Sequence, residues 1–557
     1  MEASKFRSTG IRAGLAAIGL LLSILPGISQ ANDFCPDVYK GGVLPLNFNP
    51  AFTHVDKFNH PNGNQYDGLV VSSFYNAIKN EAGDTRTGFF ERDLVARITG
   101  IGYRWPGWWN QDRDVEVLSD LDLADPVLPR APGQQIWPNE AQRVPDGILP
   151  FEAIVVPEGF HPAAEPGGIS IINLDDPART TYNMTRSVQD GWNCKPESDP
   201  AHDPTVKPRF YHLVKWFDMD GDGLKDAVSS ASGFKVAGAF CFPPVGELAW
   251  FKNPGAALDP NVPWQKFVLG GFPSNENSAD ISLDMYDFEG DGVPEIVGNH
   301  FFTGKLISII GAPVGQTWDQ VDPATNPPRT AQISSGMGAP FSVKIVDLNG
   351  DGIKDVLATN HQGDDCTSAT ASPIPGKVYA MQAPASGDIF NDPWITHTLK
   401  DNIRPNPSYP LPASSPGRLA PGLAQPFWRS AFHEATERPW ILVGGDEASK
   451  VWLLKPNSQN PNDWTYSSAV IFDINDTYGP NTTQSFTAPA PATGVSVSTI
   501  GGVSWRYDRG WAWDSYAEIY IPVFEGRDLH RISFRPRNGG ANKIVCPTDG
   551  ALACAVP

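Results

Sequence analysis

Asp218-Met219-Asp220-Gly221-Asp222-Gly223-Leu224-Lys225-Asp226 recurs as Asp287-Phe288-Glu289-Gly290-Asp291-Gly292-Val293-Pro294-Glu295 and again as Asp347-Leu348-Asn349-Gly350-Asp351-Gly352-Ile353-Lys354-Asp355. Each copy offers oxygen side chains at positions 1, 3, 5 and 9, a backbone carbonyl at position 7 (Leu224, Val293, Ile353), and glycine where the chain must turn tightly. That donor set suits the roughly six to eight oxygen ligands of a calcium ion. Without a cation the clustered carboxylates repel one another, so the pattern predicts three structural calcium sites. An EF-hand is excluded by spacing, because Ser229, Gly298 and Ala358 stand where its bidentate acid belongs. Short apolar runs precede the loops (Leu213 to Phe217, Ile281 to Tyr286, Val343 to Val346) and follow them (Ala227-Val228, Ile296-Val297, Val356-Leu357). Each loop therefore joins two strands.

The three loops define a unit of strand, acidic turn, strand, variable loop and a Gly-led apolar strand, the last seen at Gly246–Phe251, Gly304–Ile309 and Gly376–Ala380. Degenerate copies without the acids occur at Tyr66–Val71, at Asp146–Val156 with Gly167–Ile172, at Trp440–Val443 with Lys450–Leu454, and at Glu518–Ile521 with Leu529–Phe534. Seven units of about four strands, at a period of roughly 50 to 70 residues, predict an all-β, seven-bladed propeller with long loop insertions. Residues 32–557 form that propeller, with calcium loops at 218–226, 287–295 and 347–355 in blades three to five.

On these loops the chain resembles the FG-GAP or VCBS repeat β-propellers, which include the integrin α-chain head and secreted sugar-binding and sugar-modifying proteins. The family's Gly-Ala-Pro signature is partly present as Gly311-Ala312-Pro313. The stretch Gly246-Glu-Leu-Ala-Trp-Phe-Lys-Asn-Pro254 is similar to a strand that recurs in propellers of aldos-2-ulose dehydratases and some polysaccharide lyases.

Residues 1–31 read as a secretory signal: Lys5, Arg7 and Arg12, an apolar stretch through Leu25, then Ser29-Gln30-Ala31 as a cleavage site. A secreted or periplasmic protein without a membrane span is expected. The formal charge of −20 makes nucleic acid a poor partner. Six cysteines (Cys35, Cys194, Cys241, Cys366, Cys546 and Cys554) form an even set, for which disulfides are the expectation. Fifteen pairings are open, and Cys546 with Cys554 closes the shortest loop.

The acidic loops are of the first-to-second-strand type, so residues just after each second strand belong to the opposite face. The resemblance to integrin-like propellers implies ligand binding there. Those positions hold Tyr75, Asn76, His161, Asn299, His300, Asn360, His361, Asp446, Glu447, Glu525 and Arg527. Asn299, His300, Asn360, His361, Asp446 and Glu447 are the candidate ligand contacts; His161, His300, His361, Arg527 and Tyr75 are the candidate catalytic groups. Imidazole, amide and carboxylate in an aromatic-rimmed funnel match what a polyhydroxylated ligand requires. The leading expectation is an exported calcium-binding propeller that binds a carbohydrate or glycoconjugate. A sugar-modifying enzyme, lyase-like or dehydratase-like, is the first alternative, since His with Tyr or Arg can abstract a proton beside a carboxylate. An adhesion or protein-interaction module is the second.

Overall fold

The computed structural model describes residues 35–59, 65–73, 92–101, 115–122, 138–159, 167–185, 209–234, 244–270, 277–362, 374–406, 419–479, 483–484, 495–496, 499–508, 515–535, 543–546 and 549. The signal segment, the Trp-rich stretch 103–109 and four of the six cysteines lie outside the described residues.

Among the described residues, seven antiparallel sheets of four or five strands follow one another along the chain, with one two-stranded pair, Thr483–Gln484 and Val495–Ser496, besides. Blade 1 runs Pro50–Asn59, Gln65–Ser73, Arg92–Ile98, Val115–Asp122, and blade 2 runs Gln142–Arg143, Ala153–Pro157, Ile169–Asn173, Thr181–Asn183. Blade 3 has a broken inner strand (Arg209–Tyr211, then Lys215–Phe217) before Asp226–Phe234, Pro244–Lys252 and Gln265–Gly270. Blade 4 is Leu283–Tyr286, Glu295–His300, Leu306–Gly311, Arg329–Ser335, and blade 5 is Pro340–Val346, Asp355–Asn360, Gly376–Gln382, Ile395–Ile403. Blade 6 is Ala424–Phe427, Trp440–Gly444, Lys450–Pro456, Tyr466–Asp473. Blade 7 takes Ser504–Tyr507, Ala517–Val523 and Asp528–Ser533 from the end of the chain, and Tyr39–Pro45 from its beginning.

Strand alternation explains why these sheets form a ring. The second strand of each blade is an apolar run whose successive residues point to opposite faces. In blade 5, Val356 and Ala358 enter the core shared with blade 4, while Leu357 enters the core shared with blade 6. Ile296 and Val297 divide in the same way between blades 3 and 5. In blade 7, Ile519 and Ile521 face blade 6, and Tyr520 faces blade 1. One core lies between every consecutive pair of sheets, including the pair that closes the circle. The chain is a seven-bladed β-propeller.

The closing blade pairs Tyr39–Pro45 antiparallel to Asp528–Ser533, with Leu44 opposite Leu529. Beyond it, the Ile544 N–H donates to Val38 O at 2.8 Å, and Cys546 bonds to Cys35 across a Cα separation of 5.7 Å. This corrects the pairing of Cys546 with Cys554. Ring closure brings the two chain ends together, so the cysteine 511 residues away in sequence is the near one in space. Among the described residues, no helix is long and apolar enough to cross a membrane.

Candidate functional site: two ends of the ring

The three acidic loops join first to second strands and so share one end of the ring. Asp218 accepts the N–H of Gly221 and Gly223 at 2.8 and 2.9 Å; Asp287 does the same for Gly290 and Gly292, and Asp347 for Gly350 and Gly352. Those six glycines have φ between +71° and +89°, which is why glycine recurs there. The position-9 acids (Asp226, Glu295, Asp355) each reach back to the N–H at position 2, at 2.9, 2.8 and 3.0 Å. Burial pushes these acids up, Asp226 to about 6 and Glu295 and Asp355 to about 7, with neighbouring loop carboxylates adding to the effect.

The loops differ in what faces their carboxylates. Oxygens of Asp218, Asp220 and Asp222 lie within 4.8 Å of one another, and the Lys252 ammonium reaches Asp220 and, at 3.0 Å, Asp222. In blade 4, Arg329 makes a two-pronged bond to Glu289 at 2.8 and 2.6 Å and lies 3.8 Å from Glu295. In blade 5, no basic side chain of the described residues pairs with Asp347, Asp351 or Asp355, and Asn349 donates to Asp351 at 2.8 Å.

The opposite end is aromatic. His212 and Phe341 stand six residues before the first Asp of their loops, hence at the far end of the inner strands. His212 of blade 3 is ringed by Phe52 of blade 1 (6.3 Å), Phe210 of its own blade (5.8 Å) and Phe341 of blade 5 (6.1 Å). Contacts between alternate blades require these rings to converge over the central channel. Phe301 and Phe302, from the turn after the second strand of blade 4, extend the wall; Phe301 lies 5.9 Å from Phe341 and 6.0 Å from His361. His361 stacks on Phe341 with centroids 4.5 Å apart. Its Nδ1 lies 2.8 Å from Pro421 O, and its Nε2 lies 3.6 Å from Asp446 Oδ2. Bonding through Nδ1–H leaves the Nε2 lone pair facing Asp446.

Burial pushes both histidines down to about 4, His361 adding to the effect on His212. Both imidazoles are therefore neutral at pH 7. Asp446 sits in the left-handed region (φ 50°), and its carbonyl accepts from Ser449 N and Ile500 N. Burial pushes its carboxyl well up, and Glu447 and Glu525 push it further. Its side chain is still 26% exposed. Deeper in the channel, Lys215 pairs with Asp284 at 2.7 Å, and Lys344 is pushed down by the Lys215 charge and by burial.

Other expected residues fall elsewhere. His300 is the last residue of its strand and is fully enclosed in blade 4, with Nε2 2.8 Å from Ser308 Oγ. His300 follows Glu295 by five residues and His361 follows Asp355 by six, and a one-residue offset at a strand end reverses the side chain's direction. Asn299 and Asn360 are backbone staples: Asn299 donates to Pro340 O at 2.7 Å, and Asn360 donates to Met337 O at 2.7 Å. Glu447 accepts from Leu419 N, and Glu525 accepts from Thr499 N and Oγ1 at 2.8 and 2.6 Å. Arg527 occupies a left-handed turn position (φ 53°). Tyr75, Asn76 and His161 lie outside the described residues. The sequence reading passed over His212, Phe341, Phe301 and Phe52. For His212 and Phe341 the signal was a position six residues upstream of an acidic loop, which fixes where an inner strand begins; Phe301 and Phe52 carry no such mark.

No protein-family model matches this chain, and no curated protein matches it. Among solved structures it is similar to a GH43 β-xylosidase/α-arabinofuranosidase from a compost microbial metagenome, at 14% identity over 63% of this chain and 97% of that one, with a TM-score of 0.28. The NanB sialidase of Streptococcus pneumoniae is 11% identical over 89% of this chain and 70% of its own, with a TM-score of 0.34. Drosophila Semaphorin 1a, extracellular domains 1–2, is 10% identical over 91% and 90%, with a TM-score of 0.36. Glycosidases and a semaphorin stand together in this set, so function has to be argued from the site.

Proposed function

We propose that this chain is an exported, calcium-stabilised propeller of FG-GAP/VCBS type that binds a carbohydrate or glycoconjugate at the aromatic mouth, opposite the acidic loops. The observation that carries this reading is the convergence of rings from blades 1, 3, 4 and 5 around His212 and His361, with Asp446 beside them. Aromatic faces stack on the C–H faces of sugars, and neutral imidazole and carboxyl groups bond to hydroxyls. His361 and Asp446 are retained as ligand contacts, joined by His212 and Phe341. Asn299, His300 and Asn360 hold the ring together.

Calcium fits the acidic loops by donor chemistry. The ligands would be Asp218, Asp220, Asp222, Leu224 O and Asp226, with the equivalent atoms of loops 287–295 and 347–355. The ion would supply a counter-charge to Asp355, whose carboxyl is pushed up by burial and, to a smaller extent, by Asp351 and Asp347. A glycan array, run on wild type and Phe341→Ala in calcium and in chelator, tests the whole reading. Binding that needs Phe341 supports it; no binding to any glycan by folded, calcium-loaded protein overturns it.

A second reading, a sugar-modifying enzyme, is favoured by the His361–Asp446 pair alone, in which a carboxyl and an imidazole nitrogen face each other beside an aromatic wall. New reducing ends or unsaturated products from oligosaccharides would establish it.

A further inference from the structure

Below the mouth, one layer of inner-strand side chains ties each blade to the next. Lys215, Asp284 and Lys344 all stand three residues before the first Asp of their acidic loops. The Ala424 N–H donates to Ser342 Oγ as the Val343 N–H donates to Ser282 Oγ, so Gln425 is the blade 6 counterpart of Lys344. Asp56 accepts the Arg143 N–H as Asp284 accepts that of Ile345, at 3.0 and 2.8 Å, which puts Asp56 and Gln142 in the same layer of blades 1 and 2. Beyond these two aspartates, Gln142 donates to Val214 O, Lys215 pairs with Asp284 at 2.7 Å, and Gln425 donates to Val503 O at 2.7 Å, each in the following blade.

Lys344 breaks the pattern. Its ammonium has no hydrogen-bond or ion-pair partner among the described residues, and the Asp284 carboxylate is taken by Lys215 on one oxygen and the Ile345 N–H on the other. Lys344 is half-buried, and Lys215 and Asp284 are 29% and 16% exposed, so solvent enters this layer. The Lys215 charge and burial push Lys344 down, while Glu140 and Asp284 act on it only from beyond ion-pair contact. A half-buried charge without a counter-ion is costly, and an anion from outside offsets that cost. Phe341, on the wall of the mouth, lies three residues before Lys344 on the same strand, a separation of about 10 Å that a lysine side chain and one sugar ring can share. We propose that the channel beneath the mouth binds the acidic group of a saccharide, a carboxylate or a sulfate ester, on the Lys344 ammonium while the sugar ring lies on Phe341.

This rests on the mouth being a carbohydrate site and adds the charge of the sugar. A neutral sugar leaves the Lys344 ammonium unpaired, and a basic one adds a further cation to Lys215 and Lys344.

The test is direct binding of the full chain, in saturating calcium, to glucuronate oligomers, 6-O-sulfated glucose oligomers and neutral glucose oligomers of equal length, with inorganic sulfate alongside. One of the acidic oligomers should bind about 10 to 100 times more tightly than the neutral one, as expected for a charge-assisted hydrogen bond, and the tighter of the two tells carboxylate from sulfate. Lys344→Gln should reduce that preference to about twofold or less. Glutamine already fills this layer in blades 2 and 6, so the variant should fold, which an unchanged Tm would verify. Lys344→Arg, which keeps the charge, should hold the preference within about threefold of wild type. Equal or tighter binding of the neutral oligomer, or an acidic preference that survives in Lys344→Gln, would overturn the assignment and leave the carbohydrate reading standing. Binding of inorganic sulfate alone would overturn the saccharide as the source of the anion. Binding of none of the four probes would remove both readings.

Discussion

The turn between first and second strands is built in opposite ways in blade 2 and blade 5. In blade 2, Arg143 at the end of the inner strand turns its guanidinium into the turn, bonding Asp146 and, at 2.9 Å, Glu152. Arginine and Glu152 are both nearly enclosed, at 7% and 6% exposure. The Arg143 bond holds Asp146 below the usual carboxylate range. In blade 5 the same place in the fold carries Asp347, Asp351 and Asp355 with no basic partner among the described residues, and Asp355 is pushed up to about 7. Blades 3 and 4 lie between, with Lys252 and Arg329 supplying part of the counter-charge. One blade carries a cationic side chain in this turn; the other has none among the described residues.

The largest effect is expected where the cation is covalent. Arg143→Ala should cost about 3–5 kcal/mol of unfolding free energy, because it strands the buried Glu152. Chemical denaturation in excess calcium checks this, and a loss under about 1 kcal/mol would mean the turn does not depend on its arginine.

Removing calcium should act on blade 5 most. At a hundredfold excess over its dissociation constant, each bound ion adds roughly 2.7 kcal/mol. Chelation should therefore lower Tm in wild type and lower it less in Asp351→Ala, read by differential scanning calorimetry. An identical chelator response in the two proteins would place the stabilising ion elsewhere.

The mouth sharpens the contrast, because its titratable rings, His212 and His361, are held neutral by burial. His361 has a folded pKa pushed down to about 4 from an unfolded value of 6.5. The unfolded chain binds the extra proton between these values, so the contribution of His361 is fully present above pH 6.5 and is lost as pH falls towards 4. His361→Asn should flatten the stability profile there by about 1.4 kcal/mol per pH unit. A parallel profile would show that His361 does not titrate with folding.

The smallest effect belongs to Lys252, whose partners are part-exposed. Lys252→Ala should change stability by less than about 1 kcal/mol in calcium while tightening calcium binding at 218–226, measured by titration calorimetry. Weaker binding in this variant would mean that the lysine assists the metal rather than competing with it.

Much of the ring is legible in the sequence. Three acidic loops in matching strand contexts, and four acid-free copies such as Trp440–Val443, were enough to count seven blades and to place the loops in blades 3 to 5. Local chemistry carried that information, since glycine at positive φ and period-2 apolar runs act within a few residues. The mouth was only half legible. The place after a second strand picks out His361 and Asp446, which lie side by side at the mouth, but the same rule selects His300, which a one-residue offset turns into blade 4.

The sequence by itself determined the repeat, the number of blades and the chemistry of the acidic turns, because each depends on residues close together along the chain. The tertiary structure alone decided that Cys35 meets Cys546, that Phe52, His212 and Phe341 from three blades share one mouth, and that Arg143 bonds Asp146 and Glu152 in the turn of blade 2. These are contacts between residues made neighbours only by closure of the ring, and closure is set by all seven inter-blade cores together rather than by any one stretch of sequence.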